Sequence, residues 1–272
     1  MTGSGRLMWS LALGFSLVLT GCSGKTEEKP VATADSSPLY TVTGDEGSIT
    51  GSIAFNSPSP APKKIQMDSD PVCARNGANA VSEEIVVKDG HLANVFVYVK
   101  SGLPKNSFPV PTTEVVLDQQ GCRYVPHVVG LQTNQPLKVM NSDATAHNVH
   151  PVPRINREWN ESQYPSAPPI VKKFALEEVV IPVKCNQHSW MKASVAVLSH
   201  PFFSVSSQDG TFSIKGLPPG QYELIAWHEK LGEKKLQVTV APKAEAKADF
   251  AFEATTTSNF GTLKVQPALI VP

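Results

Sequence analysis

From Gly47 onwards no run of about 11 or more residues carries a helical period, and this constrains the fold more than any other feature. Proline reinforces it at 23 of 272 residues, because its ring blocks helix interiors and is tolerated in loops and at strand edges. Strand signals recur instead at intervals of about 10–15 residues. They fall at Ser48–Phe55, Glu84–Lys88, Leu92–Lys100, Glu114–Asp118, Leu137–Asn141, Val179–Val183 and Ala193–Leu198. Asp89-Gly90, between Val86–Lys88 and Asn94–Val99, has the composition of a hairpin turn. The pattern predicts an all-β protein of the sandwich type. Pro151–Pro169 is polar, Pro-rich and aperiodic, which predicts a long loop of the kind that often hosts function.

Charge narrows the partners. Lys plus Arg and Asp plus Glu number 24 each, so the chain lacks the basic excess that would hold a nucleic-acid backbone. At the N-terminus, Arg6 precedes an uncharged apolar stretch from Leu7 to Leu19. That stretch is too short for a hydrocarbon core of about 30 Å and suits the core of a signal peptide. It ends in Leu19-Thr20-Gly21-Cys22, which resembles the bacterial lipobox. The resemblance implies cleavage after residue 21 and a diacylglycerol on Cys22. Residues 1–21 are thus read as a lipoprotein signal peptide and 22–46, rich in Ser, Thr, Lys, Glu, Ala and Pro, as a flexible tether. The expected location is the periplasmic side of a bacterial membrane, attached through the lipid. Ser23 after the lipidated Cys tilts the choice towards the outer membrane.

The C-terminal part carries Asp209-Gly210-Thr211-Phe212-Ser213-Ile214 and then Leu217-Pro218-Pro219-Gly220-Gln221-Tyr222. Asp-Gly and Pro-Pro-Gly turn the chain, while Phe, Ile, Tyr and Leu alternate towards one face. The phrase resembles the carboxypeptidase-regulatory-like (transthyretin-like) β-sandwich. Such modules usually open with a strand like Gly47–Ile53. Two organisations follow: a domain over 47–200 followed by a module over 201–272, or a module completed by strand 47–55 and split around an inserted domain.

One cluster stands out chemically, Cys185-Asn186-Gln187-His188-Ser189-Trp190-Met191, just after the apolar strand 179–183. Upstream lies His147-Asn148-Val149-His150. Thiolate and thioether ligands suit copper, above all Cu(I), and imidazole suits both oxidation states; two His and one Cys in a plane with a weak axial Met form the blue-copper arrangement. The spacing C-x2-H-x2-M with an upstream H-N-V-H resembles the cupredoxins, amicyanin and more loosely plastocyanin, which implies a Greek-key β-sandwich over 47–200. Carried over, the resemblance makes His147, Cys185, His188 and Met191 ligands of one type 1 copper. Asn148 would tie the two ligand loops together and donate to the thiolate sulfur. Together with the C-terminal phrase, the chain resembles bacterial cupredoxin-like proteins labelled methylamine-utilisation proteins. Gln187 stands where a Pro is usual, and Trp190 where amicyanin has another aromatic; both bear on potential and exposure.

Other residues near this cluster keep two readings. His150 is either a residue behind or beside the metal or a replacement for His147 as ligand. His127 either approaches the metal from another loop or is structural, and an exposed imidazole at the edge of such a site would be a natural exit for electrons. With Cys22 assigned to lipid and Cys185 to metal, two of the four Cys remain. Outside the cytoplasm Cys73 and Cys122 favour a disulfide closing a loop of about 50 residues, worth roughly 4 kcal/mol on an entropic model. The rival reading puts Cys122 with His127 in a second metal site.

Hydrolase, P-loop and zinc-protease signatures are missing from the sequence, and Cys185 and His188 are too close on one loop for a protease pair. The expectation is therefore an electron-transfer protein rather than an enzyme, with a redox partner such as a cytochrome or dehydrogenase. Two alternatives use the same residues differently: a periplasmic copper carrier or sequestering protein, and a structural or ligand-binding β-sandwich lipoprotein that has lost its metal.

Overall fold

A computed structural model describes residues 37–254; residues 1–36, which include the expected signal peptide, Cys22 and most of the tether, lie outside the described residues. The described chain is all-β, as the sequence predicts, with short strands and a six-residue helix, Pro71–Asn76. No helix among the described residues is long and apolar enough to cross a membrane. Asp89 (φ 51°) and Gly90 (φ 77°) both take the left-handed conformation that a two-residue hairpin needs, and Lys88 pairs with His91 across them. The returning arm is only His91–Leu92, because Phe96–Ser101 leaves to pair with Phe203–Val205 and Gly220–His228. The tail of the expected tether is docked, not free. Tyr40 stacks near Phe108 at 5.4 Å between ring centroids, and its N–H donates to Ser107 O at 2.8 Å.

Four sheets pack in two sandwiches. In the first, strand Gly47–Phe55 pairs antiparallel with Thr211–Leu217 and parallel with Glu245–Lys247 and Phe250–Phe252. It faces a sheet of Phe203–Val205, Phe96–Ser101, Gly220–His228 and Gly232–Val240. Ile49, Ile53, Val97, Val99, Leu224 and Val240 fill the space between them. The strand 47–55 thus sits in one sheet with 211–217, although about 150 residues separate them in the chain. In the second sandwich, Lys192–Leu198 lies between Glu178–Lys184 and Val128–Gln132, and His147–Pro151 continues that sheet beyond Glu178–Lys184. The opposing sheet holds Val115–Gln119 and Leu137–Asn141, and Leu117, Val139, Val149, Ile181, Val183 and Val195 form the core.

Side-chain alternation joins the two sandwiches. Along Phe96–Ser101, Val97 and Val99 enter the first core while Phe96 and Tyr98 point the other way. Along Lys192–Leu198, Val195 and Val197 enter the second core while Ala196 and Leu198 turn outwards. The outward sets meet, with Val128 and Ile225, in a third apolar layer. A strand buried on both faces reads as a continuous apolar run, which is why these two stretches show no polar alternation. The approach is close: a Cβ on Gly130 would lie 2.6 Å from the Phe203 ring and 2.7 Å from that of Phe96.

Candidate metal centre

Strand register brings the chemistry together. Glu178–Lys184 and Lys192–Leu198 are antiparallel neighbours, so Cys185 to Met191 is the loop that joins them. Two backbone bonds close it: Cys185 N–H to Met191 O at 3.3 Å and Met191 N–H to His188 O at 3.0 Å. The neighbouring strand starts at His147, and its His150 pairs with Lys184. His147 therefore arrives beside the closed loop. Ligand atoms of His147, Cys185 and His188 lie within 4.8 Å of one another, and all three residues are buried. The two Nδ1 atoms are 2.9 Å apart, and Cys185 Sγ is 3.8 Å from His188 Nδ1. A first-row ion sits about 2.0–2.1 Å from imidazole nitrogen and about 2.3 Å from thiolate sulfur, so these spacings suit a single ion between the three atoms. Met191, at the end of the loop, is fully buried in the same core.

Each imidazole is held from behind by a carboxylate. Asp143 Oδ2 lies 3.0 Å from His147 Nε2, and Asp70 Oδ2 lies 3.2 Å from His188 Nε2. With Nε2 engaged, both rings turn Nδ1 inwards, the orientation that carboxylates behind metal-ligating histidines impose. Asp143 is itself fixed by the N–H groups of Gly121 and Cys122, both at 2.8 Å. Asp70 caps the helix Pro71–Asn76 with its other oxygen, accepting from Val72 N–H at 2.7 Å and Cys73 N–H at 3.1 Å. Neither aspartate was picked out from the sequence. Asp143 had a signal in its i, i+4 spacing to His147; Asp70 had only the helix-start pair Asp70-Pro71, hidden by the shortness of the helix.

Electrostatics without metal follow from these contacts. Burial disfavours a charged His147, yet the bonds to Asp143 and Cys185 outweigh it and raise its pKa to about 9. Burial likewise opposes the Cys185 thiolate, but the His147 contact and backbone N–H groups win and lower its pKa. His188 moves down, through burial and the charge on His147, against the pull of Asp70. Burial opposes the Asp70 carboxylate, but N–H groups of Cys73 and Val72, the Thr145 hydroxyl and His188 bring its pKa to about 2.

The remaining residues singled out from the sequence have definite places. Asn148 does link the loops, because its Oδ1 accepts from Asn186 N–H at 2.7 Å. Towards sulfur it is the Asn148 main-chain N–H that bonds Cys185 and helps lower its pKa, while the side-chain Oδ1 lies 3.3 Å from Sγ and the side-chain amide donates to Asn160 Oδ1 at 2.6 Å. The carbonyl faces sulfur because the amide nitrogen is already taken. His150 turns from the centre to Glu158 Oε1 at 2.6 Å and Asn186 Oδ1 at 3.1 Å. His127 lies 2.5 Å from Glu229 Oε1 and is in none of the three-residue groups whose ligand atoms converge. Cys73 and Cys122 are bonded to each other. Their sulfurs lie close behind the two rings, Cys73 with Asp70 and His188, Cys122 with Asp143 and His147.

No protein-family model matches the chain, and no curated protein matches it. Among solved structures, a copper-containing nitrite reductase from Thermus scotoductus SA-01 is similar at 13% identity and TM-score 0.31, over 37% of this chain and 26% of that one. A purple cupredoxin from Nitrosopumilus maritimus is similar at 16% and 0.27, over 31% and 98%. An amicyanin from Paracoccus versutus is similar at 18% and 0.29, over 37% and 96%. The chain spans about a quarter of the nitrite reductase it matches.

Proposed function

We propose that this protein is an exported, lipid-anchored copper protein that transfers single electrons through a type 1 centre of the cupredoxin kind. One observation carries the reading: a buried cysteine sulfur and two imidazole Nδ1 atoms converge, with each imidazole fixed from behind by an aspartate. A donor set of one thiolate and two imidazoles suits copper. His147, Cys185 and His188 would hold the ion, with Met191, buried at the end of the same loop, as a further weak donor, and copper would supply a Cu(II)/Cu(I) couple. The protein's part is to keep the ligands still. The closed loop fixes Cys185 relative to His188, Asp143 and Asp70 fix the rings, and the apolar core around Cys185 and Met191 excludes water. A donor set that does not move between oxidation states adds little reorganisation to electron transfer. We assign no enzymatic activity, a redox protein as partner, and attachment through Cys22 to the periplasmic side of a bacterial membrane.

The test is a visible spectrum of the soluble form beginning after Cys22, titrated with Cu(II) beside Cys185→Ser. The expected result is an intense thiolate-to-copper band at one equivalent that the variant lacks. Tight Cu(I) binding without that band would replace electron transfer by copper carriage. No stoichiometric binding of either ion would leave a structural lipoprotein.

A further inference from the structure

A copper centre exchanges electrons through whatever side chain joins a ligand to the surface, and here the ligand rings themselves are covered. His147 is fully buried, and only 4% of His188 is exposed. The outer nitrogen of His188 faces Asp70, on a segment that the Cys73–Cys122 disulfide pins down. The two imidazoles expected as exits are engaged elsewhere, His150 with Glu158 and His127 with Glu229. One side chain does connect a ligand with the outside. The Trp190 ring lies 4.9 Å from that of His188 between centroids, and its Nε1 is fixed to Cys122 O at 3.0 Å. Trp190 also lines a cleft of about 290 Å³ shared with Lys63, Lys64, Arg123, His127 and Lys192.

The cleft carries a positive excess, with Lys63, Lys64, Arg123 and Lys192 lining it against Glu83 and Glu84. Arg123 is paired with Glu83 at 3.2 Å, and Glu84 is taken by Lys230 at 2.7 Å. Lys63, Lys64 and Lys192 are exposed and form no ion pair among the described residues. Lys63 and Lys192 also act on Glu84 from a distance, but on a chain of zero formal charge the remaining excess of cations around one indole is a local positive field, and such fields steer anions to a site.

We propose that this cleft is the electron port of the protein and the docking site of an acidic redox partner, with Trp190 as the bridge to His188. The inference rests on the copper reading above. One electron passes from the partner's reduced centre to Cu(II), giving Cu(I) and the partner's oxidised centre, and no bond or proton is transferred. The reverse passage uses the same route.

Stopped-flow oxidation of the Cu(I) protein by hexacyanoferrate(III), an anion, and by tris(phenanthroline)cobalt(III), a cation, tests it. For the anion the rate should fall as salt rises. Lys63→Glu combined with Lys64→Glu should lower the anion's low-salt rate about tenfold or more while the visible band stays unchanged. Trp190→Leu should slow both oxidants. An unchanged anion rate in the lysine variant, with its band intact, would overturn the port and leave the copper centre standing. Absence of the band in the unmodified protein would instead sink the copper reading and the port with it.

Discussion

At the scale of single residues, the site is organised by groups that touch a ligand without being one. Asp143 joins His147 to the backbone of Gly121 and Cys122, so replacing Oδ2 by an amide nitrogen removes the acceptor shared by the His147 ring and the Cys122 N–H. Substitution of such partners typically lowers metal affinity about 10–100-fold. Asp143→Asn should therefore weaken copper binding by that order in a competition titration with a chromophoric chelator, and wild-type affinity would refute the role. A second residue contributes to acid sensitivity, as do His188 and His200, which burial also shifts downwards. His228 is 1% exposed, and its Nε2 has no hydrogen-bond partner among the described residues; burial brings its pKa from 6.5 down to about 4. The unfolded chain then binds the proton more readily than the folded one, so stability is lost as pH falls from about 6.5 towards 4. Urea melts of the metal-free protein at pH 7 and pH 5 should show the loss, and His228→Gln should lessen it. Of the candidate ligands, Cys185 and His188 were legible in the sequence because their spacing is local, and His147, 41 positions from His188, only through the resemblance carried by its H-N-V-H phrase. Asp70 was not, because it lies 118 positions from its partner His188.

Among the elements, the segment carrying the helix Pro71–Asn76 is the informative one. It is too short to be stable alone, and Cys73 anchors it to the turn at Cys122. Removing a native disulfide from a small secreted domain typically costs about 2–5 kcal/mol, and Cys73→Ser with Cys122→Ser should lose stability of that order in denaturant melts. Because Asp70 travels with this segment, the same variant should also expose His188, seen as faster exchange of its ring N–H by NMR. Unchanged exchange would show that the segment holds without its bond. The apolar runs each fall on strands, with 137–141 agreeing at both ends and 179–183 and 193–198 each within one strand. Shorter and more polar strands were missed, among them Glu161–Gln163 inside the expected loop Pro151–Pro169. The helix was missed as well, since six residues show no period.

On the scale of the whole molecule, two sandwiches share one apolar seam. Phe96 is fully buried in that seam and stacks 5.5 Å from both Tyr98 and Phe203. Phe96→Ala should cost about 3–5 kcal/mol. If the seam couples the sandwiches, the wild type unfolds in one calorimetric transition and the variant in two; a single unshifted transition in Phe96→Ala would refute the coupling.

The sequence by itself determined the all-β character, the hairpin at Asp89-Gly90 and the ligand-bearing loop, because proline content, turn chemistry and close spacing act locally. Only the tertiary structure decided that strand 47–55 joins 211–217, that both histidines have an aspartate behind them, and that Trp190 leads to a basic cleft. Those outcomes depend on the register and packing of segments far apart in the chain, which no local pattern encodes.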